Sequence, residues 1–234
     1  MSEAPHVEVK GLTVTARNAA GEIFPIVSGI DFALQRGEVL ALIGESGSGK
    51  TTIALTLLGH ARPGATIAGG SIRVGERDLT KLDRSALAQL RGNRIAYIAQ
   101  SAASAFNPSR TIMDQVIEPA LIHDLMPRAQ AETKAVELFR ALALPFPDTI
   151  GARYPHQLSG GQLQRLMAAM ALITDPELVI LDEPTTALDV TTQIEVLRAF
   201  KAVVLERGAT AIYVSHDLAV VAQMADQIVV LSQG

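Results

Sequence analysis

The sequence predicts an α/β protein with a mainly parallel sheet, an N-terminal antiparallel β layer and an inserted helical subdomain. Three observations carry that expectation. Apolar and polar residues alternate in "VEVKGLTV" and "IVSGIDFAL", the pattern of strands with one wet face. The short Ile-, Val- and Leu-rich runs "GEVLALIG", "NRIAYIAQ", "ELVILDEP", "TAIYVSHD" and "DQIVVLSQ" do not alternate, as is usual for parallel strands covered on both faces. Between Ser101 and Thr174 the spacing turns helical and strand signals vanish.

Taken in order, the alternating runs from Val7 to Leu34 read as antiparallel strands that turn at Ala20-Gly21. "GEVLALIG" ends in a glycine-rich loop and "KTTIALTLLGH" follows with helical spacing, so this stretch is strand, loop, helix. The later apolar runs, separated by helical patterns, add further parallel strands. At 234 residues the chain fits one domain, with residues 1–100 and 175–234 as a catalytic core and 101–174 as a helical arm. Hydrophobic residues make up 48%, yet no apolar run approaches the roughly 20 residues that a membrane-spanning helix needs. "MSEAPHVEVKGL" holds no apolar core of secretory length and the chain has no cysteine, which fits the cytoplasm. A net charge of −4 without a long basic run argues against a nucleic-acid partner.

Within "GESGSGKTT", Gly44, Gly49, Lys50 and Thr51 match G-x-x-x-x-G-K-[ST], after a strand and before a helix as that phosphate-binding loop requires. A plain glycine-rich turn would leave the lysine and threonine unexplained. Backbone N–H groups of Gly47, Gly49, Lys50 and Thr51 are expected to cradle phosphates, with Lys50 at the β/γ oxygens and the Thr51 hydroxyl on Mg²⁺. Glu45, Ser46, Ser48 and Thr52 complete the nucleotide contacts of the loop. In "ELVILDEP", Pro184 keeps Glu183 out of helical conformation and stops the strand, so Asp182 and Glu183 can address different targets. Beside such a loop, Asp182 is expected to hold Mg²⁺ through water and Glu183 to orient or deprotonate the water that attacks the γ-phosphate. In "YPHQLSGGQLQRL", Ser159, Gly160 and Gly161 open a helix with free N–H groups at its positive end, which suits an anion.

Together, "GESGSGKT", "LSGGQ", "LVILDEP", "TALD" and "VSHD", in that order over essentially the whole chain, resemble the ATP-binding cassette (ABC) family of ATPases, whose fold is that of a P-loop NTPase. The resemblance implies two cassettes packed head to tail, with each ATP between the P-loop of one copy and Ser159, Gly160, Gly161 and Gln162 of the other. It also implies that Gln100 reaches the Mg²⁺ or the attacking water, that His216 contacts the γ-phosphate and that Asp189 orients the two sites across the dimer. Phe24 stands where the family often stacks an aromatic ring on adenine, and a core phenylalanine is the alternative. His6, His60, His123 and His156 share no metal-ligand spacing and read as surface or loop residues, while Met167 and Met170 read as core.

"SAASAFNPSRTIMDQVIEP", after Gln100, is similar to the same segment in ATPases of dipeptide, oligopeptide and nickel importers. That resemblance implies a peripheral subunit on the cytoplasmic face of the inner membrane. Its partners would be a second ATPase, identical or paralogous, two integral membrane permease subunits and, indirectly, an extracytoplasmic solute-binding protein. A soluble complex such as carbon–phosphorus lyase is the alternative setting, and a nucleic-acid-directed cassette a weaker one. Phe106 replaces the usual leucine before "NP", and Leu163 replaces a polar residue after the signature, which is expected to alter local packing. The chain ends at "VVLSQG" where relatives continue, so it is expected to lack their C-terminal extension.

Overall fold

Alternation in the first 34 residues translates into two long strands because one face of each can be buried while the other stays wet. In the computed structural model, which describes residues 4–18, 20–184, 190–216, 221 and 225–232, these are β1 (Val7–Arg17) and β2 (Ile23–Leu34). They are followed by β3 (Val39–Gly44), α1 (Lys50–Thr56), β4 (Ala65–Val74), β5 (Arg77–Asp78) and α2 (Arg84–Leu90). Next come β6 (Ile95–Ile98), α3 (Ala102–Ala105), α4 (Ile112–Val116), α5 (Glu118–Ile122), α6 (Arg128–Ala141) and α7 (Gly160–Leu172). The last elements are β7 (Leu178–Asp182), α8 (Val190–Glu206), β8 (Thr210–Ser215) and β9 (Gln227–Leu231). Two structural units divide the chain: residues up to Ala88 together with those from Thr210 onward, and Gln89–Ala209.

In the first unit, β1 and β2 pair antiparallel from Val7 opposite Leu34 to Arg17 opposite Ile23. The turn forms at the expected place: Asn18 Oδ1 accepts hydrogen bonds from the N–H groups of Ala20 and Glu22, and Gly21 supplies a φ of 86°. β4 covers the other edge of β1 and was not expected, because the Gly69-Gly70 pair inside "ATIAGGSIRV" reads as a loop. Gly70 has a practical reason to be there. A Cβ on it would lie 2.6 Å from backbone atoms of Lys10 and Gly11, next to the shift in register between Lys10 and Thr13. The inward residues Val7, Val9, Leu12, Val14, Val27, Leu34, Ile72 and Val74 are all buried. So is His6, at 9% exposure, in the bend before β1, the loop rather than the surface of the two places expected for it. The parallel strands of this unit lie in the order β8, β3, β9, with Val39 beside Ala211 and Leu40 beside Gln227.

In the second unit, β6 and β7 pair in parallel, Ile95 beside Leu178 and Ile98 beside Leu181. Between Ile98 and Leu178 every described regular element is helical. α7 is the hub: it packs on α3, α4, α6, α8 and β6 through Leu163, Leu166, Met167, Ala168, Ala169 and Leu172. Met170 is half-buried on the same helix. Leu163 belongs to this core, as does Phe106 at 4% exposure. Gln115, on α4, clamps the loop after Phe106: its Oε1 accepts from the Asn107 N–H at 2.7 Å, and its Nε2 donates to the carbonyls of Asn107, Arg110 and Thr111.

Candidate functional site

Each glycine of the loop after β3 has a steric reason. A Cβ on Gly44 would sit 2.4 Å from the Leu231 carbonyl oxygen and 2.6 Å from Ser48 Oγ, and one on Gly49 would sit 2.7 Å from Val27 Cγ2. Gly47 and Gly49 take φ values of 86° and 95°. Such left-handed residues within a turn direct successive N–H groups into one concavity, the geometry that binds anions. Lys50 is 5% exposed, and its Nζ donates to the carbonyls of Gly44 and Glu45, both at 2.8 Å. No carboxylate pairs with it among the described residues. A buried ammonium held only by neutral acceptors carries an uncompensated charge, and a phosphate is its natural counterion. Ser48 Oγ, also buried here, has no hydrogen-bond partner among the described residues. Thr51 and Thr52 follow, half-buried in the first turn of α1.

The loop lines an open cavity of about 790 Å³ with Ile43, Gly44, Glu45, Ser46, Gly47, Ser48, His216 and Ser232. His216, directly after β8, is thus brought beside the residues that the motif selected, 172 positions from Gly44 in the chain. Phe24 is 45% exposed on β2, opposite Ala16, which excludes the core alternative. Only two residues on, the carbonyl of Ile26 and the side chain of Val27 abut Gly49. Phe24 is thus exposed on the strand that abuts the loop.

In the second unit, β7 delivers Asp182 and Glu183 at its end. Asp182 is 5% exposed, and its Oδ2 accepts a hydrogen bond from Tyr97 Oη at 2.7 Å. Glu183 is half-buried, and its Oε2 accepts from Gln100 Nε2 at 3.1 Å. Pro184 was expected to keep Glu183 out of helical conformation, and Glu183 takes a φ of 47°, in the left-handed region. A non-glycine residue held there costs of order 1–3 kcal/mol, and such strain gathers at functional sites. Tyr97 was not singled out in the sequence. Its signal was a polar-tipped aromatic in an Ile/Ala strand, a residue that needs a hydrogen-bond partner when buried.

Ser159 is the N-cap of α7. Its Oγ accepts from the Gln162 N–H at 3.3 Å while Gln162 Oε1 accepts from the Ser159 N–H at 2.9 Å, a capping box. Ser159 and Gly160 are exposed and Gly161 is buried, so the cap leaves the helix start open to solvent on one side. Asp189 lies outside the described residues. No described helix is long and apolar enough to cross a membrane.

Residues 27–186 match the family model described as "ABC transporter". The chain is 40% identical, over 97% of its length, to the oligopeptide transport ATP-binding protein OppD of Lactococcus lactis subsp. cremoris (strain SK11), covering 67% of that protein. It is 40% identical, over 91% of its length, to the oligopeptide transport ATP-binding protein AppD of Bacillus subtilis (strain 168), covering 65%. The chain therefore spans about two thirds of the length of these relatives. Among solved structures it is similar to the ATP-binding cassette MJ0796, seen as a dimer in a post-hydrolysis state bound to ADP and Pi. The TM-score is 0.83 at 27% identity, over 97% of this chain and 95% of that one. With the family model running from β2 through the acidic pair, and with a loop that buries a lysine against two carbonyls, the chain belongs to the ABC transporter family as an ATP-binding, ATP-hydrolysing cassette.

Proposed function

We propose that this chain is the nucleotide-binding subunit that energises an importer of peptides or related small solutes. The observation that carries the chemistry is Lys50, buried against two loop carbonyls with no carboxylate partner among the described residues. ATP would bind with its β- and γ-phosphates at Lys50 and at the N–H groups of Gly47, Gly49, Lys50 and Thr51, and with adenine against Phe24. His216 would meet the γ-phosphate from the far side of the cavity. Glu183 would hold the attacking water and accept its proton, with Gln100 fixing the carboxylate. The Thr51 hydroxyl and the Asp182 carboxylate are hard oxygen donors of the kind Mg²⁺ takes, so the residues fit that ion, which would neutralise charge on the phosphates.

Ser159, Gly160 and Gly161 would close on the ATP of a second copy or a paralogue, with Asp189 orienting the pair of sites and residues 101–174 acting as the arm that receives the membrane subunits. Gln162 would act through the cap that it forms with Ser159. The peptide-transport names of the relatives favour the importer over a soluble complex. The subunit would sit peripherally on the cytoplasmic face of the inner membrane, below two permeases served by a solute-binding protein. The test is affinity purification of the tagged protein from detergent-solubilised cells of its own source. Two multi-spanning membrane proteins in stoichiometric yield are expected, and soluble enzymes in their place would overturn the importer assignment.

A further inference from the structure

β6 and the residues just after it serve both acids of the site. Ile95, Ala96 and Ile98 are buried, and Tyr97 carries the polar tip of the strand. Because Tyr97 lies beside Ile180 in parallel register, its long side chain runs two residues forward along β7 to reach Asp182. Three positions later, Gln100 reaches Glu183. The strand and the bend just after it thus donate one hydrogen bond to each of two consecutive carboxylates.

The two donations differ in kind. The phenol–carboxylate bond at 2.7 Å is part-buried, with Asp182 itself 5% exposed, and a buried carboxylate without donors is costly. A lysine or arginine at position 97 could satisfy Asp182, but it would also cancel the negative charge that a metal needs. A phenol donates a proton without adding a cation, and it fixes the plane of the carboxylate through Oδ2. We infer that Tyr97 is a positioning residue for metal binding: it holds the Asp182 carboxylate oriented for Mg²⁺. This rests on the reading of Asp182 as the metal carboxylate. Partners that orient a metal ligand from behind are typically worth about 10–100-fold in metal affinity.

Tyr97→Phe removes the hydroxyl and little else. In the full chain, binding of a fluorescent non-hydrolysable ATP analogue is titrated with Mg²⁺, and bound Mn²⁺ is followed directly by electron paramagnetic resonance. The expected result is about tenfold weaker metal in the variant. Analogue binding in a chelator and the melting temperature should stay close to wild type. In an Asp182→Asn background, adding Tyr97→Phe should change metal affinity less than twofold, since the partner charge is already gone. An unchanged Mg²⁺ titration in Tyr97→Phe overturns the inference, as does equal loss of nucleotide with and without metal, which would mark a merely structural tyrosine. If the wild type itself showed no metal-dependent nucleotide binding, the reading of the site would fall, not Tyr97 alone.

Discussion

Lys50 illustrates how a single residue can be both buried and unfinished. Its ammonium lies almost wholly out of water, yet two loop carbonyls are weaker compensation than an anion. Truncating it should therefore harm the nucleotide complex far more than the free protein. For Lys50→Ala we expect ATP affinity to fall at least about 30-fold, equivalent to roughly 2 kcal/mol or more, with the melting temperature of the free chain held or raised. Isothermal titration beside thermal unfolding checks both, and unchanged affinity would remove Lys50 from the cradle. The loop was legible in the sequence because its members stand in one contiguous motif: Gly44 and Gly49, which have no room for a Cβ, and Lys50 follow one another where β3 turns into α1. Tyr97 was not, because its hydrogen bond depends on how β6 registers against β7, and no local pattern encodes that.

At the scale of elements, legibility followed periodicity. β1, β2, β3, β6, β7, β8 and β9 all fall on runs whose spacing announced them, whereas β4 hides behind Gly69-Gly70, where a close approach to Gly11 overrides the usual meaning of two glycines. Short helices such as α4 owe more to side-chain chemistry. Thr111 caps α4 through the Asp114 N–H, and its hydroxyl donates back to Asp114 Oδ2 at 2.7 Å, while Arg128, at the start of α6, donates to Oδ1 of the same carboxylate. The Arg128 hydrogen bond first, and the Thr111 hydroxyl second, hold the Asp114 carboxyl below its ordinary value of 3.8. A depressed value means that the native state binds fewer protons than the unfolded chain, so the contribution is complete above about pH 4 and is lost as pH falls through the folded value. Asp114→Asn carries no such titration. The melting temperature of wild type should exceed that of Asp114→Asn by a constant margin between neutral pH and about pH 5, and the margin should shrink as pH drops below about 4. A margin that is flat through acid pH would mean that the Arg128 and Thr111 contacts do not select the ionised form.

For the whole molecule, the informative feature is that the two proposed anion sites differ in kind. The P-loop borders a concavity lined by residues 44–48 and His216, with Lys50 buried behind it, whereas the start of α7 presents Ser159 and Gly160 openly to solvent with its cap already made. A site shared between copies needs both kinds on every copy, since a two-fold axis makes each subunit lend what it also receives. This yields a prediction that separates sharing from self-sufficiency. Lys50→Ala spoils the cradle and leaves the signature, while Ser159→Arg spoils the signature and leaves the cradle, so each variant alone forms only defective sites. In an equal mixture, a dimer of one copy of each holds one site in which both halves are defective and one in which both are intact. Random pairing puts half of the dimers in that mixed class, so hydrolysis should recover to about a quarter of the wild-type rate when the two sites fire independently. The rate should also rise steeply with total protein concentration, as a reaction limited by pairing must. Steady-state phosphate release from each variant alone and from the mixture is the measurement. Activity in the mixture equal to the mean of the separate variants, with each shown to pair by analytical ultracentrifugation, would place the whole reaction within one copy.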